Sequence, residues 1–210
     1  MKLIDLSLPV NDASLSYPGT STGIALERIP FSIPGGTLSR FTHLDPHCGT
    51  HLDAPLHFIQ EGTDVASVPL VLPELVVFYT TANPIPADLL DGSPGLVGKA
   101  VLFSTGWEKH AGTKGFFEGY PTLSSQLAEA LVARGVALVG LDSPSVDPAV
   151  GDYAAHRLIL AAGIPIIEGL VNLPELLPYL EAHRTVRLSA FPLRIQGMEG
   201  SPVRAVAIVD

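Results

Sequence analysis

Apolar residues recur along this chain in two rhythms, and the change from one to the other organises it. In the first third the runs are short and loosely alternating, as half-buried strands are. Residues 3–8 and 37–44 are expected as strands, and the Tyr-Pro-Gly at 17–19 as a turn. Residues 45–58 are dense in Gly, Pro, Asp and His and predict an ordered loop with one helical turn. The β-branched and aromatic residues of 70–81 predict a strand, with Pro73 marking an edge position or a bulge.

From residue 99 onward strand-like runs alternate with helical periodicity. Residues 99–104 predict a buried strand. Residues 122–134 predict a helix that Thr122 or Ser124 can cap, with Leu127, Ala128 and Leu131 as its apolar face and Gly135 as its end. A strand is expected at 136–141, a helix at 153–162 stopped by Gly163, and a third strand at 164–167 that delivers Glu168. This β–α–β–α–β order with short connections implies parallel strands. A short helix at 176–182 and two strands at 186–195 and 203–209, suited to antiparallel pairing, complete the chain. No repeat or linker interrupts it, so the expected organisation is one α/β domain over residues 1–210 with a mostly β N-terminal third.

Composition narrows the function classes. With 47% apolar and 16% charged residues the chain can bury a core and is neither disordered nor a coiled coil. Its net charge is −9 and its 12 basic residues are scattered, which argues against a nucleic-acid partner. The single cysteine, Cys48, excludes an intrachain disulfide framework and a Cys-rich zinc site, and packing is its expected role. The first twelve residues carry acids and a proline, unlike a signal peptide, and no apolar run reaches 18 residues. A soluble, cytoplasmic protein without a membrane partner is expected.

The chemistry concentrates in HLDPHCGTHLDAPLHF, residues 43–58, which holds four of the seven histidines and two aspartates. Imidazole suits Zn²⁺, Mn²⁺ or Fe²⁺, and a carboxylate adds hard oxygen donors that can bridge two ions. His47, His51, Asp53 and His57 therefore have the chemistry of a hydrolytic metal site. Gly49 removes bulk where the chain must curl around an ion, and Pro55 stiffens the turn before His57. Lone histidines such as His43 and His183 read as ordinary polar residues. A serine nucleophile is not expected, because no Gly-x-Ser-x-Gly elbow is present.

The segment HCGTHLDAPLHF resembles the H-x-G-T-H-x-D-x-P-x-H motif of the cyclase family of metal-dependent hydrolases, which includes bacterial kynurenine formamidases and isatin hydrolases. The resemblance extends over DLSLPV, YPG, DSPSVDP, HRLILAAGIPIIEGL and SPVRAV. It implies a mixed-sheet swivelling β/β/α-type fold and a homodimer. It implies that His47, His51 and Asp53 hold a first metal, that Asp53 also reaches a second, that His156 is a ligand of the second, and that Glu168 is a carboxylate shared by both. Two Zn²⁺ per subunit are expected, with Mn²⁺ as the alternative. His57 matches the proton-transfer residue of the formamidase members, and Ser145 and Asp147 match a supporting S-x-D element. Tyr17 stands where formylkynurenine-acting members carry Trp before Pro-Gly, and is expected to stack on substrate. The FFEGYP stretch, 116–121, either closes over the pocket or decorates the surface.

The resemblance thus implies hydrolysis of the N-formyl amide of an aryl formamide, N-formyl-L-kynurenine in tryptophan catabolism being the first expectation. The alternatives are hydrolysis of a cyclic amide or lactone such as isatin, and a non-catalytic metal-binding relative.

Overall fold

The structure, a computed structural model, describes residues 1–11, 17, 23–93 and 95–210. Of the turn expected at 17–19, Pro18 and Gly19 lie outside the described residues. The strands β1 (Lys2–Asp5), β2 (Ile24–Ile29), β3 (Leu38–Leu44), β4 (His51–Asp53), β5 (Leu75–Tyr79) and β6 (Ala100–Ser104) precede helix α1 (Ser125–Ala133). Strand β7 (Leu138–Leu141), helix α2 (Ala154–Ala161), strand β8 (Ile166–Glu168) and helix α3 (Leu177–Glu181) follow. Strands β9 (Val186–Ser189), β10 (Gly200–Pro202) and β11 (Val206–Val209) end the chain.

Six strands form a mixed sheet in the order β10-β4-β8-β7-β6-β5. Strands β5 to β8 run parallel, as the alternating β and α pattern predicts, and β4 and β10 add antiparallel strands at one side. A second, antiparallel sheet has the order β1-β11-β9, and β2 and β3 form a two-stranded ribbon. This is the mixed-sheet α/β architecture expected from the sequence.

Strand alternation sorts the core into two layers. Val101, Phe103, Val139, Leu141 and Ile166 pack with Leu127, Leu131 and Ile159 of the two long helices. The intervening Ala100, Leu102, Leu138 and Ile167 face Ile4, Val186, Leu188 and Val209 of the three-stranded sheet, and Leu6 just after β1. Helix α1 starts where Ser124 accepts a hydrogen bond from the Leu127 amide at 3.1 Å, and it ends at Gly135, whose φ of 63° suits glycine.

Five expectations are corrected. Residues 45–58 are not all loop, because β4 lies among them. The strand expected at 70–81 begins only after Pro73, whose carbonyl accepts from the Leu188 amide, and it forms the far edge of the large sheet. The strand expected at 186–195 stops at Ser189, and that at 203–209 begins at Val206. Glu168 is the last residue of its strand and not one beyond it.

Candidate metal centre

Strand β4 explains how a short sequence motif becomes a cluster. Alternation puts His51 and Asp53 on one face of the strand, while Leu52 between them turns into the core. On one side β4 pairs antiparallel with β8, so that His51 stands opposite Glu168. On the other side Gly200 of β10 stands opposite Asp53. The turn before β4 passes Gly49, with φ 70°, where a side chain would run into Val10. The Thr50 hydroxyl donates to the Gly169 carbonyl and ties this turn to the end of β8.

Helix α2 supplies His156 from its first turn. The Asp147 carboxylate accepts from the Ala155 amide at 3.0 Å and the His156 amide at 2.8 Å, closing the helix N-terminus. The same carboxylate lies 2.8 Å from His156 Nδ1 and fixes the ring. Nε2 is thereby turned inward, 3.2 Å from Glu168 Oε1 and 3.5 Å from Asp53 Oδ2. Phe58 stacks on the His156 ring at 4.6 Å. Asp147 thus gives the support expected of the S-x-D element.

The remaining donors converge on the same carboxylates. His47 Nδ1 lies 2.9 Å from Asp53 Oδ1, and His51 Nε2 lies 3.6 Å from that oxygen and 3.5 Å from Glu168 Oε2. Asp53 is fully buried, and neither of its oxygens has a well-formed hydrogen bond among the described residues. Glu168 is better served, with the Val146 amide donating to Oε1 at 2.8 Å.

Buried carboxylates this close to imidazole nitrogens require positive charge between them. In the metal-free protein protons supply it. Burial opposes a charged His47 ring, but Asp53 overrides this and pushes its pKa up to about 10. Burial likewise opposes charge on His156, and Glu168 and Asp147 raise its pKa well above the ordinary value. Burial would raise Asp53 and Glu168, but the facing histidines hold both below the usual carboxylate range. A divalent cation can take the place of those protons. The donors of His47, His51 and Asp53 lie within 4.8 Å of one another, as do those of Asp53, His57 and His156. Nitrogen and oxygen donors with two orphaned carboxylate oxygens fit a metal of the Zn²⁺ or Mn²⁺ type.

His57 differs from its neighbours. It ends the single 3₁₀ turn Pro55–His57, and its ring centre is 4.4 Å from that of His47 and 5.8 Å from that of His156. Burial lowers its pKa, with Asp53 opposing and the charges of His47 and His156 reinforcing the fall. Its ring is therefore more readily neutral near pH 7 than those of His47 and His156.

A cavity of about 490 Å³ opens above these groups, with His47, His51, His57, His156 and Glu168 at its floor. Phe58, Phe116, Phe117, Tyr153 and Tyr17 give it aromatic walls. Phe116 and Phe117 place the FFEGYP stretch in the pocket wall. That wall is held from below, since Asp142 accepts from the amides of Thr105, Gly106 and Trp107, and Trp107 Nε1 donates to the Phe116 carbonyl at 2.9 Å. Tyr17 meets Phe117 edge-on at 5.7 Å and its hydroxyl lies 2.7 Å from that of Tyr120. Tyr120 is buried and donates to the Asp147 carbonyl at 3.0 Å.

The structure therefore brings His47, His51, Asp53, His57, His156 and Glu168 together, with Tyr17 on the cavity wall. Sequence reasoning missed Glu199, whose Oε1 lies 3.5 Å from His47 Nε2. It follows no motif spacing, and its only sequence signal is its place just before Gly200-Ser201-Pro202. Cys48 is fully buried, as expected of a packing residue.

Comparison with known proteins adds the following. The family model Cyclase, with the description "Putative cyclase", matches residues 4–148. That match contains His47, His51, Asp53 and His57 and stops before His156 and Glu168. Isatin hydrolase A from Labrenzia aggregata, in a structure bound to benzyl benzoate, superposes with a TM-score of 0.84 at 22% identity, over 98% of this chain and 93% of that one. An isatin hydrolase bound to the product analogue thioisatinate gives 0.82 at 22% identity, over 100% and 93%. A predicted metal-dependent hydrolase from Bacillus stearothermophilus gives 0.76 at 24% identity, over 98% and 97%. These likenesses show that the fold is shared along nearly the whole chain.

Proposed function

The chain belongs to the Cyclase family, and from that premise we propose that it is a metal-dependent hydrolase acting on the carbon–nitrogen bond of a small aryl amide. The observation that carries the reading is the buried Asp53 carboxylate, which faces the rings of His47, His51 and His156 beneath the aromatic-walled cavity that those rings line. His47, His51 and Asp53 would hold one cation. His156 and Glu168, with Asp53 between the two positions, would hold a second. Zinc is the expected metal and manganese the alternative. When bound, such an ion supplies Lewis acidity, which polarises a carbonyl and lowers the pKa of water.

The chain's own residues supply the rest. His57, with its lowered pKa, is neutral near pH 7 and can accept a proton from the attacking water. It can then return that proton to the departing nitrogen, which leaves as a neutral arylamine. Phe58, Phe117 and Tyr17 offer ring faces and edges to the aryl group. Leu8 and Pro9 in the same wall help exclude bulk water. The first substrate we propose is N-formyl-L-kynurenine, giving L-kynurenine and formate in tryptophan catabolism.

Isatin is the second reading, favoured by the isatin hydrolases among the structural neighbours. Its cyclic amide also joins a carbonyl to an aryl nitrogen, so the same donors and the same His57 serve both substrates. The two are separated by assaying them side by side with chelated protein and with protein reloaded with Zn²⁺ or Mn²⁺. Metal-restored release of formate and kynurenine supports the formamidase reading. Turnover of isatin alone replaces it with the second. Full metal occupancy with neither activity rejects both substrates and leaves the non-catalytic metal-binding alternative.

We further propose that the protein works as a homodimer. The β2–β3 ribbon exposes Leu26, Leu38 and Phe41, and a two-stranded ribbon on its own is marginally stable in water.

A further inference from the structure

We propose that Glu199 is a positioning residue for His47, selecting which ring nitrogen faces the metal centre. The inference rests on the metal-centre reading above.

A neutral imidazole offers one lone pair, and the other nitrogen carries a hydrogen that needs an acceptor. In His47 the two nitrogens face different partners. Nδ1 is turned to Asp53 Oδ1 at 2.9 Å. Nε2 is buried, makes no hydrogen bond to a described residue, and faces Glu199 Oε1 at 3.5 Å. An approach of about half an ångström brings that pair to ordinary hydrogen-bond distance. The carboxylate would then hold the hydrogen on Nε2, leave the Nδ1 lone pair for the cation, and make Nδ1 a stronger donor.

The backbone fixes Glu199 for this task. The Ala54 amide donates to the Glu199 carbonyl at 2.8 Å, and the next residue, Gly200, is registered opposite Asp53. The His47 ring rests on Gly200, where a Cβ would lie 2.7 Å from Cε1 and 3.1 Å from Nε2. Adjacent residues at the start of β10 therefore carry the bare seat under the ring, Gly200, and the carboxylate at its edge, Glu199. Glu199 is set against the same strand that bears His51 and Asp53, so ligand and orienter move together.

The test is the zinc dissociation constant, measured by competition with a chromophoric chelator, for wild type, Glu199→Ala and Glu199→Gln. Cobalt spectra of the same proteins report the ligand field. Alanine is expected to weaken zinc about 10- to 100-fold and to shift the cobalt bands. Glutamine, whose amide oxygen can accept the same N–H, is expected to restore affinity to within about fivefold of wild type. The metal-free variants should melt with wild type, since the Glu199 side chain is partly exposed. Equal affinity in wild type and Glu199→Ala would overturn the proposal. Glutamine as weak as alanine would also overturn it, because Glu199 would then act by its charge or as a ligand of an outer cation shared with His57. A wild type that binds no zinc would instead remove the metal centre itself.

Discussion

A fully buried carboxylate that accepts no hydrogen bond from the described residues is stable only if positive charge reaches it, and Asp53 is such a group. Protons on His47 and His156 meet the need in the metal-free protein, which makes metal uptake a competition with protons. Burial opposes the charged His47 ring, but Asp53 raises its pKa to about 10, so the ring carries its proton throughout the physiological range. That proton must leave before the nitrogen can bind a cation. Zinc affinity should therefore rise with pH between about 6 and 8, roughly tenfold per unit for each proton displaced. Titration calorimetry in buffers of different ionisation enthalpy measures the proton release directly. A pH-independent affinity would contradict the assignment of His47. His57 behaves in the opposite sense, because burial depresses its pKa. His57→Ala should leave metal content near wild type while lowering kcat about 10²- to 10⁴-fold. Unchanged turnover would take His57 out of the reaction.

At the scale of elements, the site depends on β4, which has only three residues. Leu52 anchors it from below among Leu102, Ile167 and their neighbours. Leu52→Ala should destabilise the protein by about 2–5 kcal/mol in urea titration, and it should weaken zinc binding as the flanking His51 and Asp53 lose their register. The helices were legible in the sequence because their marks are local: Ser124 and Gly135 bound one, Gly163 ends the other, and Leu127 and Leu131 repeat at helical spacing. The parallel strands were legible from their place between those helices. Strand β4 was not, because Gly, Pro and His surround it and its ladder is made with β8 and β10, far away in sequence. The ligand types were legible all the same, since clustered histidines report chemistry whatever backbone carries them. Glu199 was not, because only the β10–β4 pairing brings it to His47.

At the scale of the whole molecule, the two core layers leave apolar side chains uncovered, among them those of the β2–β3 ribbon. Leu26 is 51% and Phe41 60% exposed on the β2–β3 ribbon, and Ile33 in its connecting loop is 60% exposed. A second copy of the chain is the proposed cover. Sedimentation velocity should find the wild type at twice the chain mass. The double variant Leu26→Asp/Phe41→Asp should shift toward monomer, because four carboxylates would then face each other in the interface. A wild type that is monomeric at tens of micromolar would refute the dimer and leave the ribbon without a partner. Among the described residues no helix is long and apolar enough to cross a membrane, so a bilayer-spanning helix does not account for the exposed side chains.

The most direct test of the metal centre is to count zinc ions per chain by mass spectrometry of the elements, after loading and desalting, in wild type and Asp53→Ala. Up to two ions should be retained by the wild type and essentially none by the variant, because Asp53 serves both positions. A wild type that keeps no zinc, or a variant that keeps as much as the wild type, would contradict the metal-centre reading.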